Sequence, residues 1–220
     1  MFLKIILGIE ILTAIFATYY FYKFKNTPLK LWILLLFLAP LTKIIVAWNA
    51  TNGTLNNQII LNIHDLIHHL ILFKLIYDLI SQAWRKKVML WIIGFTVLVF
   101  AVNGMYESDF SEHLILYKSA LTALVIFSTA LYLGYTLKRV ELLRFKENLA
   151  FIVFSGYMIY NIVYLPIYLT NQYLVHMETG DETILPVLST LRGATLLMMN
   201  LFFIFGLIWT HPHLNKNKQG

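Results

Sequence analysis

Asn62 to His69 reads N-I-H-D-L-I-H-H, inside an apolar run covering residues 59–80. A run of about 20 apolar residues is what crossing a hydrocarbon core of roughly 30 Å requires. An aspartate and three histidines in such a run are costly in lipid. They persist where they face a bundle interior or a wet cavity, and there they mark a functional site by default. At 100° per residue, Asn62, His64, Asp65, His68 and His69 cover an arc of roughly 160°, one side of a helix. The segment therefore reads as a membrane helix with one polar wall, and that wall needs partners from other helices.

Working outward, six more runs of similar length occupy residues 2–22, 30–49, 88–104, 113–136, 148–171 and 184–209. The 220 residues are 59% hydrophobic and 13% charged, against roughly 45–50% and 25% in soluble domains. The expected fold is all-α, a polytopic seven-helix transmembrane bundle formed by residues 1–210, with 211–220 as a short basic tail. The first run, with Glu10 at its middle and most nearby positive charge after it, reads as a helix rather than a signal peptide.

The net charge of +6 follows from topology rather than from a nucleic-acid partner. Lys23, Lys25 and Lys30 follow run one, Arg85, Lys86 and Lys87 run three, and Lys138, Arg139, Arg144 and Lys146 run five, while Lys216 and Lys218 end the chain. The alternate loops hold Glu107, Asp109 and Glu112, then Glu178, Asp181 and Glu182, with no Lys or Arg. Because Lys and Arg are retained on the cytoplasmic side, this alternation predicts an outside N-terminus and a cytoplasmic C-terminus. Lys4 is the one dissenting charge. With no cysteine, there is no disulfide or thiolate chemistry to consider.

Glu10 lies about eight residues, or roughly 12 Å, below the outer end of its helix. Lys43, the Asn62–His69 wall, Lys118, Asn161 and Arg192 fall at a similar depth. Pro40 frees the carbonyl four residues earlier and opens backbone toward any neighbouring cavity. If these helices converge, they enclose a polar chamber in the outer half of the membrane, on balance cationic and suited to an anionic ligand or headgroup. The ligand-binding candidates are Glu10, Lys43, Asp65, His69, Lys118, Tyr160, Asn161 and Arg192. The competing reading is a set of intramembrane ion pairs that only fix helix register, with the Tyr157, Tyr160, Tyr164, Tyr168 stripe as packing. Lys74 and Asp78 lie nearer an interface, where long side chains snorkel.

His64 and His68, four apart on one face, have the spacing of two imidazoles holding one zinc or iron ion. That arrangement suggests a second function, a metal-dependent intramembrane hydrolase or oxidoreductase acting on lipid, with Asp65 or Glu10 as ligand or general base. H-D-L-I-H-H resembles one histidine box of membrane desaturases, but those enzymes need several boxes facing the cytoplasm. Seven-helix zinc hydrolases related to alkaline ceramidases carry H-x-x-x-H on the last helix, where this chain has Arg192. His113 and His176 are the other histidines able to complete a site from the outer side. The last helix offers no lysine for a retinal Schiff base, and no serine sits in a glycine-flanked elbow. A third possibility is a small-solute transporter of three helices, a linker helix and three helices, although the two halves show no self-similarity.

Three stretches, Y-K-F-K-N-T-P-L-K-L-W from Tyr22, E-N-L-A-F-I-V-F-S-G-Y-M-I-Y-N-I-V-Y-L-P-I from Glu147 and M-N-L-F-F-I-F-G-L-I-W from Met199, together resemble a family of small seven-helix membrane proteins of flavobacteria and their relatives. The resemblance implies a multi-pass protein of the bacterial inner membrane, associated with two-component signalling and so with a partner such as a histidine kinase. It carries over no activity and no site residues, and the helix-three histidines depart from the family pattern. The leading expectation is a sensor or accessory signalling protein that binds a small or lipid-like ligand in the outer-half chamber.

Overall fold

The computed structural model describes residues 2–53, 56–106, 115–139, 148–176 and 184–210. Among them are seven α-helices and no β-strand: α1 (Phe2–Tyr19), α2 (Trp32–Asn52), α3 (Asn57–Leu79), α4 (Ala83–Tyr106), α5 (Ile115–Arg139), α6 (Leu149–His176) and α7 (Ile184–Trp209). Six of them, α2 to α7, are long and apolar enough to cross a membrane. The remaining helix, α1, has 18 residues.

The outer surface of the bundle is apolar. Leu34, Phe37, Leu41, Ile44 and Trp48 stand exposed along α2, and Trp91, Phe95, Leu98, Val102 and Met105 along α4. Their spacing of three or four residues places each set on one helical face. Exposure on this scale is the inverse of a soluble protein, where contiguous apolar patches stay small. It suits a multi-pass membrane protein.

Helices α1, α2, α3, α5, α6 and α7 form a closed ring, each packed on the next and α7 returning to α1. Helix α4 lies outside it, against α3 and α5. The run 88–103 of α4 carries no charged residue, in keeping with this outer place, and α3, with the most polar face, packs against three other α-helices.

Small residues set the closest approach in the ring. A Cβ on Gly206 of α7 would sit 3.0 Å from Ile152 Cγ2 and 3.2 Å from Leu149 Cδ1, and one on Gly156 of α6 would sit 3.1 Å from Phe203 Cε1. Without a hydrophobic drive between helices in lipid, such contacts carry much of the association. Between α2 and α3 the chain turns at Gly53, whose φ of 64° is left-handed and whose amide donates to Asn49 O at 2.7 Å. Asn56 then caps α3 by accepting from the Gln58 amide at 2.8 Å.

Several helix ends differ from the sequence expectation, and two of them have a local reason. Helix α1 stops at Tyr19, and a 3₁₀ turn over Phe21–Lys23 swings Lys23 toward the end of α7. There its ammonium donates to Leu207 O and to Thr210 O, at 2.5 and 2.6 Å, satisfying carbonyls that a helix C-terminus leaves free. Helix α4 begins at Ala83 rather than near 88. Arg85 is buried there between the rings of Trp84 and Tyr135, 5.1 and 5.2 Å from their centres, so its stem and guanidinium gain packing within the first helical turn.

Candidate functional site

The up-and-down winding brings the starts of α3, α5 and α7 to the same end of the bundle as the C-terminal halves of α2 and α6. Lys23, Lys30, Arg85, Lys86, Lys87 and Lys138 collect at the opposite end. At the first end the ring encloses a cavity of about 420 Å³. The eight ligand-binding candidates and the two histidines of the metal reading line it: Glu10, Lys43, His64, Asp65, His68, His69, Lys118, Tyr160, Asn161 and Arg192. The volume lies within the roughly 300–1,000 Å³ usual for small-molecule sites.

The charges in it are mostly matched across helices. Lys43 Nζ of α2 lies 2.6 Å from Glu10 Oε1 of α1. Lys118 Nζ of α5 lies 3.2 Å from Asp65 Oδ2 of α3, and His64 Nδ1 lies 3.2 Å from Asp65 Oδ1. The other Glu10 oxygen, Oε2, is buried without a hydrogen-bond partner, as are His64 Nε2 and His68 Nδ1. Buried polar atoms are rarely left so. Arg192 of α7 has no acidic partner among the described residues. Its guanidinium lies over the Tyr164 ring, 5.2 Å from the centre.

The tyrosine stripe proves to be a wall of the cavity as well as packing. Tyr160, Tyr164 and Tyr168 stack ring on ring at 5.5 and 5.6 Å between centres, all three lining the cavity. Tyr157, one turn deeper, packs on Phe203 at 5.1 Å. Below lies an aromatic layer. Trp32 meets Phe203 edge to face at 5.2 Å and Phe24 at 6.1 Å, and Tyr132 meets Phe154 at 4.7 Å. Trp32, Phe73, Phe154 and Phe203 are fully or almost fully buried. The cavity is thus a cup floored by aromatic rings.

Other side chains fell elsewhere. Asn62, placed on the polar wall by its helical angle, is buried away from the cavity and accepts from Gln58 Nε2 at 3.0 Å. His69 Nδ1 contacts the backbone carbonyl of Asp65 at 2.5 Å rather than its carboxylate. Lys74 pairs with Asp78 and takes no part in the cavity. Residues that sequence reasoning passed over include Thr122, Asn171, Gln172 and Asn200, which also line it. Spacing held a clue: Asn171 and Gln172 follow Tyr168 by three and four positions, and Asn200 follows Arg192 by eight.

For a metal, the two candidate ligands are close, with the His64 and His68 rings 5.6 Å apart between centres and inclined at 43°. Among the described residues no group of three His, Asp or Glu is placed to hold an ion. His113 lies outside the described residues, as does the side chain of His176, so the third ligand expected from them is not part of this geometry. A pair of imidazoles alone falls short of the three protein ligands usual in catalytic zinc sites.

Fold and cavity together define a class, an all-α bundle of membrane-fit helices around a blind polar cup. Compared with known proteins, the chain matches no family model, no curated protein and no solved structure.

Proposed function

We propose that this protein is a receptor of the bacterial inner membrane. It crosses seven times with its N-terminus outside and C-terminus in the cytoplasm, and binds a small anionic or lipid-like ligand in the cup. The orientation follows from the basic residues gathered at the end opposite the cup, which puts the mouth on the outer side. A cytoplasmic signalling partner, such as a histidine kinase, then reads the bound state.

The observation that carries this reading is Arg192. Two lysines in the cup are matched by two carboxylates, whereas Arg192, more exposed than either lysine, lines the same space over the Tyr164 ring with no carboxylate within ion-pair distance among the described residues. A cation without a matching carboxylate draws anions toward the cup. Buried polar atoms on Glu10, His64 and His68 add hydrogen-bonding capacity that the protein itself leaves unused.

The test is a thermal-shift screen of the protein in lipid nanodiscs against small anions, cations and neutral solutes. Selected anions are expected to raise the unfolding midpoint of the wild type and not that of Arg192→Gln. Equal responses to all three solute classes, or identical responses in the two proteins, would refute the reading.

A further inference from the structure

The cup is polar at one level and apolar below it, and that order constrains its ligand. Two ion pairs, Lys43–Glu10 and Lys118–Asp65, make the polar level of the lining, and Arg192 lines the same cavity. Beneath that level the lining changes to Leu35, Leu36, Leu72, Val125 and Phe203. Along α7, Phe203 follows Arg192 by eleven residues, about 16 Å at 1.5 Å per residue. Along α3, Leu72 follows Asp65 by seven, about 10 Å.

Three of the polar side chains between layer and floor bond back to their own helix, and His68, with its unpartnered Nδ1, is the exception. Thr122 donates to Lys118 O at 2.8 Å, Asn161 to Tyr157 O at 2.7 Å and Asn200 to Leu196 O at 2.9 Å, each a bond back to its own helix. A ligand seated polar end down would therefore meet hydrocarbon and aromatic rings where it needs partners. Burying such a group without a hydrogen bond costs several kcal/mol on hydrocarbon scales. A lipid headgroup reaching down from the mouth fits this order poorly.

We infer that the ligand is a compact organic monoanion, best a carboxylic acid, seated with its apolar body on the floor and its carboxylate at Arg192. This rests on the anion-receptor reading above and deepens it. The single charge follows from the layer, in which the lysines and carboxylates cancel and Arg192 remains. Carboxylate suits the planar guanidinium fork, which binds it through two parallel hydrogen bonds. A phosphate monoester brings about −1.5 to −2 charges, more than the layer leaves unmatched. Size is bounded by the volume of about 420 Å³, at the lower end of the range usual for small-molecule sites.

The experiment titrates protein in nanodiscs with acetate, butanoate, hexanoate, octanoate, dodecanoate and hexadecanoate, and with inorganic phosphate and octanol, against empty nanodiscs. Affinity is expected to rise about fourfold per methylene, the equivalent of about 0.8 kcal/mol each, and to level off before hexadecanoate, once the chain outgrows the cup. Octanol and phosphate should bind far more weakly than octanoate. Arg192→Gln should weaken octanoate at least tenfold, as expected for loss of charge-assisted hydrogen bonds, while Arg192→Lys recovers part of it.

If acetate or phosphate binds as tightly as octanoate, and Arg192→Gln abolishes that binding, the seating order is wrong while the anion-receptor reading survives. If no anion binds above the empty-nanodisc background, both fall. Because the chain-length series is measured on the wild-type protein, the inference stays testable even if a variant does not fold.

Discussion

Replacing Lys43 with Met should harm the protein more than replacing its partner Glu10 with Gln. The pair spans α1 and α2 at 2.6 Å, but its members are unequally placed: the Glu10 side chain is 7% exposed and that of Lys43 33%. Without the ammonium, Glu10 has one oxygen stripped of its partner and the other, Oε2, already buried and unpartnered. Removing one member of a buried pair costs 3–5 kcal/mol, mostly from the charge left behind. Since Lys43 faces the open cup, the lower bound applies, about 3 kcal/mol. In Glu10→Gln the ammonium can turn to water in the cup, so about 1 kcal/mol is expected, as for a partly exposed pair. The double variant leaves no stranded charge and should cost about 2 kcal/mol, less than the sum of the singles by about 2 kcal/mol. The assay is equilibrium unfolding by SDS titration in mixed micelles, followed by far-UV circular dichroism. Strict additivity, or a larger loss from Glu10→Gln than from Lys43→Met, would refute the reasoning.

Because the chain has no cysteine, single substitutions report topology cleanly: Asn52→Cys should react with a membrane-impermeant maleimide from outside intact cells, and Lys87→Cys only after lysis. The reverse pattern would invert the orientation proposed for the cup. Gly206→Ile adds a side chain where even a Cβ meets Ile152 at 3.0 Å and should cost about 1–3 kcal/mol by overpacking, read by the same SDS titration; Gly94→Ile, with open space around it, should be nearly silent. Lys23→Met removes the cap from the α7 carbonyls and should cost about 1 kcal/mol, with faster deuterium exchange confined to the last turn of α7. Purified protein should carry less than stoichiometric zinc and iron by elemental analysis and keep its unfolding midpoint in EDTA. One equivalent of either metal, lost in a His64→Ala, His68→Ala variant, would instead favour the lipid-modifying enzyme.

The depth of the site was legible in the sequence because charge in lipid is expensive. Glu10, Lys43, Asp65, Lys118 and Arg192 each interrupt an apolar run, and counting residues from the helix ends puts them at similar heights. The lengths of the apolar runs likewise gave the helices to within about five residues at each end. Lateral order was not legible, since nothing in the spacing of α1 and α2 says that Glu10 meets Lys43 while Asp65 meets Lys118. Helical angle also says which side a residue is on but not what lies opposite. Asn62 shares the arc of the histidines and yet faces a helix interface, where Gln58 satisfies it. Thr122 and Asn200 escaped notice because single uncharged polar residues are cheap to keep in a membrane helix by bonding to the carbonyl four residues back, as both do.

The floor of the cup separates reception from transport more sharply than the cup itself. A solute passing through would have to part the edge-to-face contact of Trp32 with Phe203 and the Tyr157–Phe203 contact below the charged layer. Both involve α7 where Gly156 and Gly206 bring it closest to α6, and α7 is tied at its end to Lys23. Opening that path means separating the tightest helix pair in the ring. Signalling asks less, because a ligand on Arg192 needs only to favour one setting of α7, whose far end is held by Lys23 at the basic end of the bundle. The two readings therefore diverge at Trp32→Ala. For a receptor the variant loses stability and acquires no solute flux. For a transporter, thinning the barrier should raise passive leak of small carboxylates into proteoliposomes, and a saturable leak of that kind would overturn the receptor.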